Sequence, residues 1–540
     1  PADGIDLDKA HGLDLRTKHL ISVTDNCGAK CPIRAKCRYL SLLNAYMNPC
    51  IDFQVCNHNF LLADVIKRKQ GGNPMLPNYQ AVIIDEVHKF LPAARQMYGT
   101  GLSNTEPEAL HGMLEKLPFV NEKKGRLACK YCQAALNFND DLFKYLARSA
   151  AGFTQSGEIQ DRAKTHIGKH AQIALRALSY NAGRLAGLLR ENAADIKSAD
   201  ALYHSECIGL MHRFDALKKK ADLFLSPEDM IYWLEAPFEL NNKELRLASI
   251  PKDIDKRLYM DIWSKPFPKI LTSGTIAVNG GFGYIKGQLG LNRVWKGGIL
   301  ETVKQAPFNY KEQCLLYISE KTPFPAPPEG IAGTASDNDL EKKYIDAVVK
   351  EINILITAAC GHTAVLFTSY RVMGMVMSRF RNGRLPYPVF RLSKGEPFAL
   401  EDFKASGNGV LFAAGTFWDG IDIPGDILSS LIIVKLPFAA PDPVNEYERS
   451  LCGSELEFKE QYVFADMIIR LKQGIGRLIR REDDTGLISI LDFRMRLGAK
   501  YRSKVLAALP EYRVTSSVKD IHAFFRNKKS EEYFTRISEK

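Results

Sequence analysis

Apolar and polar positions alternate differently in three stretches of the chain, and each pattern predicts its own elements. Near residue 80 the run Ala81-Val82-Ile83-Ile84 leads straight into acidic residues, which predicts a buried strand of a parallel α/β sheet. From about 100 to 265 the rhythm is helical. No Pro falls between Pro118 and Pro227, and Leu175, Leu178, Leu185 and Leu189 repeat at helical spacing, as do Leu210, Phe214, Leu217 and Phe224. Those stripes predict the core of a helical insertion. After residue 265 short apolar runs return: Leu315-Leu316-Tyr317-Ile318, Ala364-Val365-Leu366-Phe367, Val410-Leu411-Phe412-Ala413, Leu431-Ile432-Ile433-Val434 and Leu487-Ile488-Ser489-Ile490-Leu491. Helical stretches such as 339–358 separate most of them, so a parallel sheet with crossover helices is expected. The Pro-rich piece 323–328 reads as a surface connection.

Length changes this picture by adding domains: 540 residues are enough for about three or four. Apolar residues make up 46%, enough for several cores. Lys and Arg total 73 against 62 Asp and Glu, a net charge of +11. That excess suits a polyanion such as nucleic acid, and equally a basic protein without such a partner. No apolar run approaches the roughly 20 residues that span a bilayer, and the first ten residues hold no signal core. A cytoplasmic monomer away from the membrane is expected. The chain opens on Pro1 and not Met, which reads as a processed or incomplete product. Cys27, Cys31, Cys37, Cys50 and Cys56 crowd the first 60 residues, so free thiols or metal ligands are favoured over a disulfide framework.

Six segments carry candidate chemistry. In Ile83-Ile84-Asp85-Glu86-Val87-His88 a strand delivers two carboxylates to the carboxyl edge of a sheet, where ligands of α/β folds bind. Asp85 can hold Mg²⁺ on a nucleotide and Glu86 can orient the attacking water; a solvated strand end has the same sequence. His88 completes Asp-Glu-x-His, a helicase signature. In Gln473-Gly474-Ile475-Gly476-Arg477-Leu478-Ile479-Arg480 a continuous helix would put Gln473, Arg477 and Arg480 on one face, where two guanidinium groups suit a phosphoryl-transfer transition state. The two glycines cost such a helix about 1 kcal/mol each, which points to close backbone approach. In Phe417-Trp418-Asp419-Gly420-Ile421-Asp422 the aromatics could stack on a base or simply close a turn. Thr272-Ser273-Gly274-Thr275 and Thr368-Ser369-Tyr370 offer short hydroxyls and amides that can hold nucleic-acid phosphates. Cys27-x3-Cys31-x5-Cys37 supplies soft thiolates for an iron–sulfur cluster or Zn²⁺. Cys129-x2-Cys132 has no partner pair and reads as two ordinary cysteines.

Taken in order, Asp85-Glu86-Val87-His88, Thr272-Ser273-Gly274-Thr275, Phe367-Thr368-Ser369-Tyr370, Asp419-Gly420-Ile421-Asp422 and the 473–480 segment resemble the superfamily 2 helicases of the DinG/XPD type. The three cysteines match as well, as do Val55-Cys56-Asn57-His58-Asn59-Phe60-Leu61 and Ala306-Pro307-Phe308-Asn309-Tyr310. The resemblance covers nearly the whole chain and is weakest across the helical insertion. It implies an α/β fold: two RecA-like parallel-sheet motor domains that bind ATP between them, a cluster-bearing insertion and a helical arch insertion. The corresponding stretches are 1–55 for the remainder of the iron–sulfur domain, 56–100 and 263–305 for motor domain 1, 101–262 for the arch, and 306–540 for motor domain 2.

The activity implied is ATP-dependent unwinding of duplex DNA, usually 5′→3′, in repair or replication, with single-stranded and forked DNA as partners. On that resemblance Asp85 and Glu86 would bind Mg²⁺ and activate water, and Gln473, Gly476, Arg477 and Arg480 would reach the nucleotide. His88, Gly420 and Asp422 would complete the ATP site. Cys27, Cys31 and Cys37 would ligate a [4Fe–4S] cluster, while Thr272, Ser273, Thr368, Ser369, Tyr370 and Phe417 would meet nucleic acid. Asp419 stands where the family usually has Glu, and Gly274 where it usually has Ala. The larger departure is the phosphate loop: no Gly-x-x-x-x-Gly-Lys-Ser/Thr occurs in the 540 residues. In the family that loop and the first cluster ligand lie upstream of the cysteines, so both are expected before Pro1. The 540 residues alone are then expected to hydrolyse ATP poorly. The alternative is a non-catalytic DNA-binding relative that kept the scaffold.

Overall fold

The structure is a computed structural model and describes residues 36–48, 50–153, 159–196, 201–235, 244–278, 280–295, 297–304, 306–323, 335–380, 385–392, 398–415, 423, 425–439 and 442–535. The chain forms two compact units. Residues 1–272, 287–295 and 441–447 make the first, and 273–286, 296–440 and 448–540 the second.

In the first unit, α1 (Arg38–Tyr46) and α2 (His58–Lys69) come first. Asn57 starts α2 by accepting the Phe60 N–H at 2.8 Å, and Lys67, Arg68 and Lys69 in its last turn complement the helix dipole. The buried Asp64 carboxylate then accepts the N–H groups of Met75 and Leu76 at 2.6 and 2.9 Å. That clasp turns the chain back toward β1 (Val82–Ile84), which leads into α3 (Phe90–Tyr98).

A mixed lobe follows: β2 (Thr100–Ser103), α4 (Glu106–Leu114), α5 (Glu122–Ser149), β3 (Ala151–Phe153), β4 (Ile159–Lys164), α6 (Lys169–Asp195), α7 (Ala201–Leu225), β5 (Met230–Glu235) and β6 (Arg246–Pro251). The Leu stripes of α6 and the Leu/Phe stripe of α7 are buried, together with Ala128, Cys132, Ala135, Leu142 and Leu146 of α5. The stretch expected to be helical also holds a five-stranded antiparallel sheet in the order β2-β6-β5-β4-β3. Leu102, Leu234 and Leu247 turn one face of that sheet into the helical core. Ile231, Trp233, Ala248 and Ile250 form a second apolar face, covered by Val444 and Tyr447. Arg162 and Lys164 of β4 pair there with Asp442 at 3.0 Å and Glu446 at 2.6 Å.

The chain then returns in β7 (Lys269–Leu271), which among the described residues pairs in parallel only with β1: Val82 with Lys269, Ile84 with Leu271. The strand read as buried is therefore half of a two-stranded ribbon. Ile84 is 1% exposed, but Ile83 and Ile270 on the other face are 54% and 53% exposed.

The second unit is a RecA-like parallel sheet. Its elements are β8 (Cys314–Ile318), α8 (Ala335–Ala358), β9 (Thr363–Phe367), α9 (Tyr370–Phe380), β10 (Val389–Leu392), α10 (Phe398–Ser406), β11 (Val410–Ala414), β12 (Ser430–Ile433), α11 (Phe464–Ile475), β13 (Gly486–Ile490), β14 (Arg513–Thr515) and α12 (Val518–Lys528). Seven strands lie in the order β10-β11-β9-β12-β13-β8-β14, all pairs parallel. Alternate residues face opposite sides. Leu316, Leu366, Leu411, Leu431 and Ile488 pack against Met467, Ile468 and Leu471 of α11. Leu315, Val365, Phe412, Ile432 and Leu487 pack against Val348, Ile352 and Leu355 of α8 and Phe525 of α12. Both faces are covered, as a parallel sheet requires.

Candidate functional site

Two groups of site residues are built, one in each unit. In the first, β1 ends at Ile84 and the carboxylates follow. Thr272 N–H donates to the Ile84 carbonyl at 2.9 Å and Val87 N–H to the Thr272 carbonyl at 3.0 Å, which carries the β1–β7 pairing past the strand ends. Glu86 is forced into the left-handed region, φ 47° and ψ 48°, an uncommon conformation for a residue with a Cβ and one that clusters at functional sites. The Thr272 hydroxyl donates to Asp85 Oδ1 at 2.5 Å and the Glu86 N–H donates to the same oxygen at 2.9 Å. These two bonds, the Thr272 hydroxyl first, hold the Asp85 carboxyl below the usual carboxylate range. Both load onto Oδ1, which leaves Oδ2 of this exposed carboxylate without a hydrogen bond among the described residues. His58 Nε2 bonds the Asp85 carbonyl at 2.9 Å, and His88 Nδ1 lies 3.2 Å from the Glu86 carboxylate.

In the second unit α11 carries Gln473, which is buried in its last turn. The helix stops at Ile475 with Gly476 as its cap, so Gln473, Arg477 and Arg480 do not share a helix face as the spacing suggested. The glycines end the helix and do not interrupt it. Beyond them the chain is held by its apolar residues: Leu478 and Ile479 are each 4% exposed. A Cβ on Gly486 would lie 2.8 Å from the Leu478 side chain, so only glycine fits opposite. Asp484 Oδ2 accepts the N–H groups of Arg480 at 2.8 Å and Arg481 at 2.9 Å. Gln313 Nε2 donates to the carbonyls of Glu482 at 2.9 Å and Asp484 at 3.0 Å. Arg480 thus stands on a loop fixed from both sides. Lys472, whose ammonium burial pushes toward the neutral form, donates to the Ala277 carbonyl at 3.0 Å.

Residues 352–512 match the helicase C-terminal domain family. A protein named ATP-dependent DNA helicase YoaA from Escherichia coli K12 is 29% identical over 504 residues, 91% of this chain and 71% of that one. Another, named 3′-5′ exonuclease DinG, from Bacillus subtilis, is 27% identical over 87% of this chain and 52% of its own length. The chain is DinG/XPD-like. A solved structure of an XPD helicase is 19% identical with a TM-score of 0.47, over 83% of this chain and 71% of that one.

Of the residues read as DinG/XPD-like site residues, Asp85, Glu86, His88 and Thr272 come together in the first unit, and Gln473, Gly476, Arg477 and Arg480 in the second. Thr272, read as a nucleic-acid contact, gives its hydroxyl to Asp85. Ser273 N-terminally braces a turn, accepting the Thr275 N–H at 3.3 Å. Thr368, Ser369 and Tyr370 stand at the carboxyl end of β9, and Ser369 starts α9. Phe417, Gly420 and Asp422 lie outside the described residues, as do Cys27 and Cys31. Cys37 is half-buried at the head of α1. Among the described residues no group of three or more His, Cys, Asp or Glu could hold a metal ion, so no cluster site is assembled from them. Cys132 lies in the lobe core, its thiol pushed up to about 12 by burial, while Cys129 on the same helix is exposed. His58, Gln313, Lys472 and Asp484 were missed because each acts on a motif from outside it. His58 alone carried a signal, standing in the 55–61 segment already noted as family-like.

Proposed function

We propose that the chain works as an ATP-dependent DNA helicase of DinG/XPD type, travelling 5′→3′ on single-stranded DNA and opening forks in repair or replication. The observation that carries this reading is the clasp on Asp85: a carboxylate kept ionised by Thr272 and by its neighbour's N–H, beside a strained Glu86. Asp85 would hold Mg²⁺ through Oδ2, and the remaining positions on the metal would go to nucleotide phosphates and water. Mg²⁺ bound there would neutralise charge on the β- and γ-phosphates. Glu86 would orient and polarise the attacking water, with His88 fixing its carboxylate. Arg477 and Arg480 would meet the charge that spreads over the transferring phosphoryl group, and Gln473 would contact the nucleotide. A [4Fe–4S] cluster on Cys27, Cys31 and Cys37 belongs to the same reading.

The 540 residues contain no amide cradle and Lys of the phosphate-loop kind. By themselves they should release phosphate from ATP weakly. The second reading is a non-catalytic DNA-binding relative. Strand separation by the full-length gene product separates the two. With ATP it should open a duplex carrying a 5′ single-stranded tail and leave a 3′-tailed one intact. Opening only the 3′-tailed duplex overturns the polarity, and DNA binding with no phosphate release establishes the second reading.

A further inference from the structure

At the carboxyl edge of the seven-stranded sheet one lysine makes no ion pair of its own among the described residues. Lys435 follows β12 by two residues. Ile433 pairs with Leu366 on one side and Ile490 on the other, so the same register sets Lys435 beside Thr368 and Asp492. The pairing does continue: Val434 N–H donates to the Leu366 carbonyl at 3.1 Å, and Leu436 N–H to Asp492 Oδ2 at 2.8 Å. The Lys435 ammonium rests 4.9 Å from the centre of the Tyr344 ring, contributed by α8.

Three cations face this place, and two are already matched. Arg494 holds Asp492, Nε to Oδ1 at 2.9 Å, and lies over the Phe438 ring at 4.4 Å. Arg371 pairs with Glu341 at 3.2 Å. Among the described residues Lys435 has neither an ion pair nor a hydrogen bond. Burial opposes its charge; the Asp492 and Glu341 carboxylates, each held by an arginine, support it, and Arg494 and Arg371 repel it. The hydroxyl of Tyr344, a residue 3% exposed, is buried without a hydrogen-bond partner among the described residues. A desolvated ammonium and an unmatched buried hydroxyl are each costly.

We propose that Lys435 binds a backbone phosphate of single-stranded nucleic acid, with the Tyr344 hydroxyl as a second donor. The proposal rests on the reading of the chain as a DNA-binding motor. A phosphodiester fits better than a carboxylate ligand. A compact ammonium with three rotatable donors binds phosphate as a point charge, whereas a planar carboxylate is better served by a guanidinium fork. Thr368 and Ser369, next to Lys435 at the sheet edge, offer hydroxyl and amide groups to the neighbouring sugar-phosphate atoms. Because the contact reads backbone and not bases, it should be indifferent to sequence.

The test uses the chain with Lys435→Met and Tyr344→Phe, binding of a fluorescent oligothymidylate across a salt series, binding of ATP, and thermal melting. The expected result for Lys435→Met is roughly tenfold weaker oligothymidylate binding at low salt. The slope of log affinity against log salt should shrink by about 0.7, one phosphate contact on a single strand. Its melting temperature should stay level or rise, because an unmatched buried charge has gone. Tyr344→Phe should weaken binding without changing the slope. Unchanged oligothymidylate binding, or a loss confined to ATP, overturns the proposal. So does a melting temperature that falls, since Lys435 is then structural. A parent chain that fails to bind oligothymidylate at all refutes the DNA-binding reading itself.

Discussion

The β1–β7 ribbon and the seven-stranded sheet both deliver motif residues from strand ends, yet they hold them by opposite means. In the seven-stranded sheet every residue of β8, β9, β11, β12 and β13 is buried, and the loop bearing Arg480 is seated by Leu478, Ile479 and the absent side chain of Gly486. The ribbon has two strands, and Ile83 and Ile270 stand half in solvent. Two parallel strands do not form a stable sheet alone. There the carboxylates are held by polar contacts: Thr272 on Asp85, His58 on the Asp85 carbonyl, His88 on Glu86. Apolar packing joins the Asp484 and Gln313 hydrogen bonds in fixing the Arg480 loop, whereas the Asp85 and Glu86 side chains are exposed and rest on hydrogen bonds.

The difference can be broken most forcefully by truncating one apolar residue on each side. Leu478→Ala should lower stability of the second unit by about 2–5 kcal/mol, read by denaturant unfolding, because it opens a cavity in a covered core. Ile83→Ala should cost about 0.5 kcal/mol or less, as an exposed side chain does. A loss above roughly 2 kcal/mol at Ile83 would mean that the ribbon's outer face is covered in solution.

A smaller effect should appear in the acid limb of activity. Asp85 has a folded-state pKa below its unfolded value, so its charge is present above the ordinary carboxylate range and is lost as pH falls through the lowered value. Thr272→Val removes the first cause of that depression while keeping the shape. In the full-length gene product the acid limb of phosphate release should move to higher pH, with the neutral plateau less affected. An unmoved limb would show that Thr272 does not set the ionisation of Asp85.

Much of the second unit was legible because covered parallel strands are short apolar runs, and β8, β9, β11, β12 and β13 stand where those runs occur. The edge strands β10 and β14 were not, since edges mix polar and apolar positions: Arg513 and Val514 are both exposed. The lobe's sheet was hidden behind the stronger 3.6-residue rhythm of α6 and α7, although Met230–Glu235 is itself a β-rich run. Asp85, Glu86 and His88 were readable as a local word. The Thr272 hydroxyl on Asp85 was not, because 187 residues separate the two. Helical spacing also carried Arg477 and Arg480 onto α11, where the chain in fact leaves the helix at Gly476. Lys435 was invisible as a candidate because it follows an apolar strand as ordinary charged punctuation, and its lack of an ion pair among the described residues shows only in three dimensions.

The central proposal is ATP hydrolysis that needs both Glu86 and Arg480. DNA-stimulated phosphate release by the full-length gene product tests it with Glu86→Gln, Arg480→Ala and the double variant. Each single change should slow release by ~10³-fold while single-stranded DNA binding holds, and the double should be little worse than the slower single. Independent, multiplying losses, or an unchanged rate in either single variant, would contradict it.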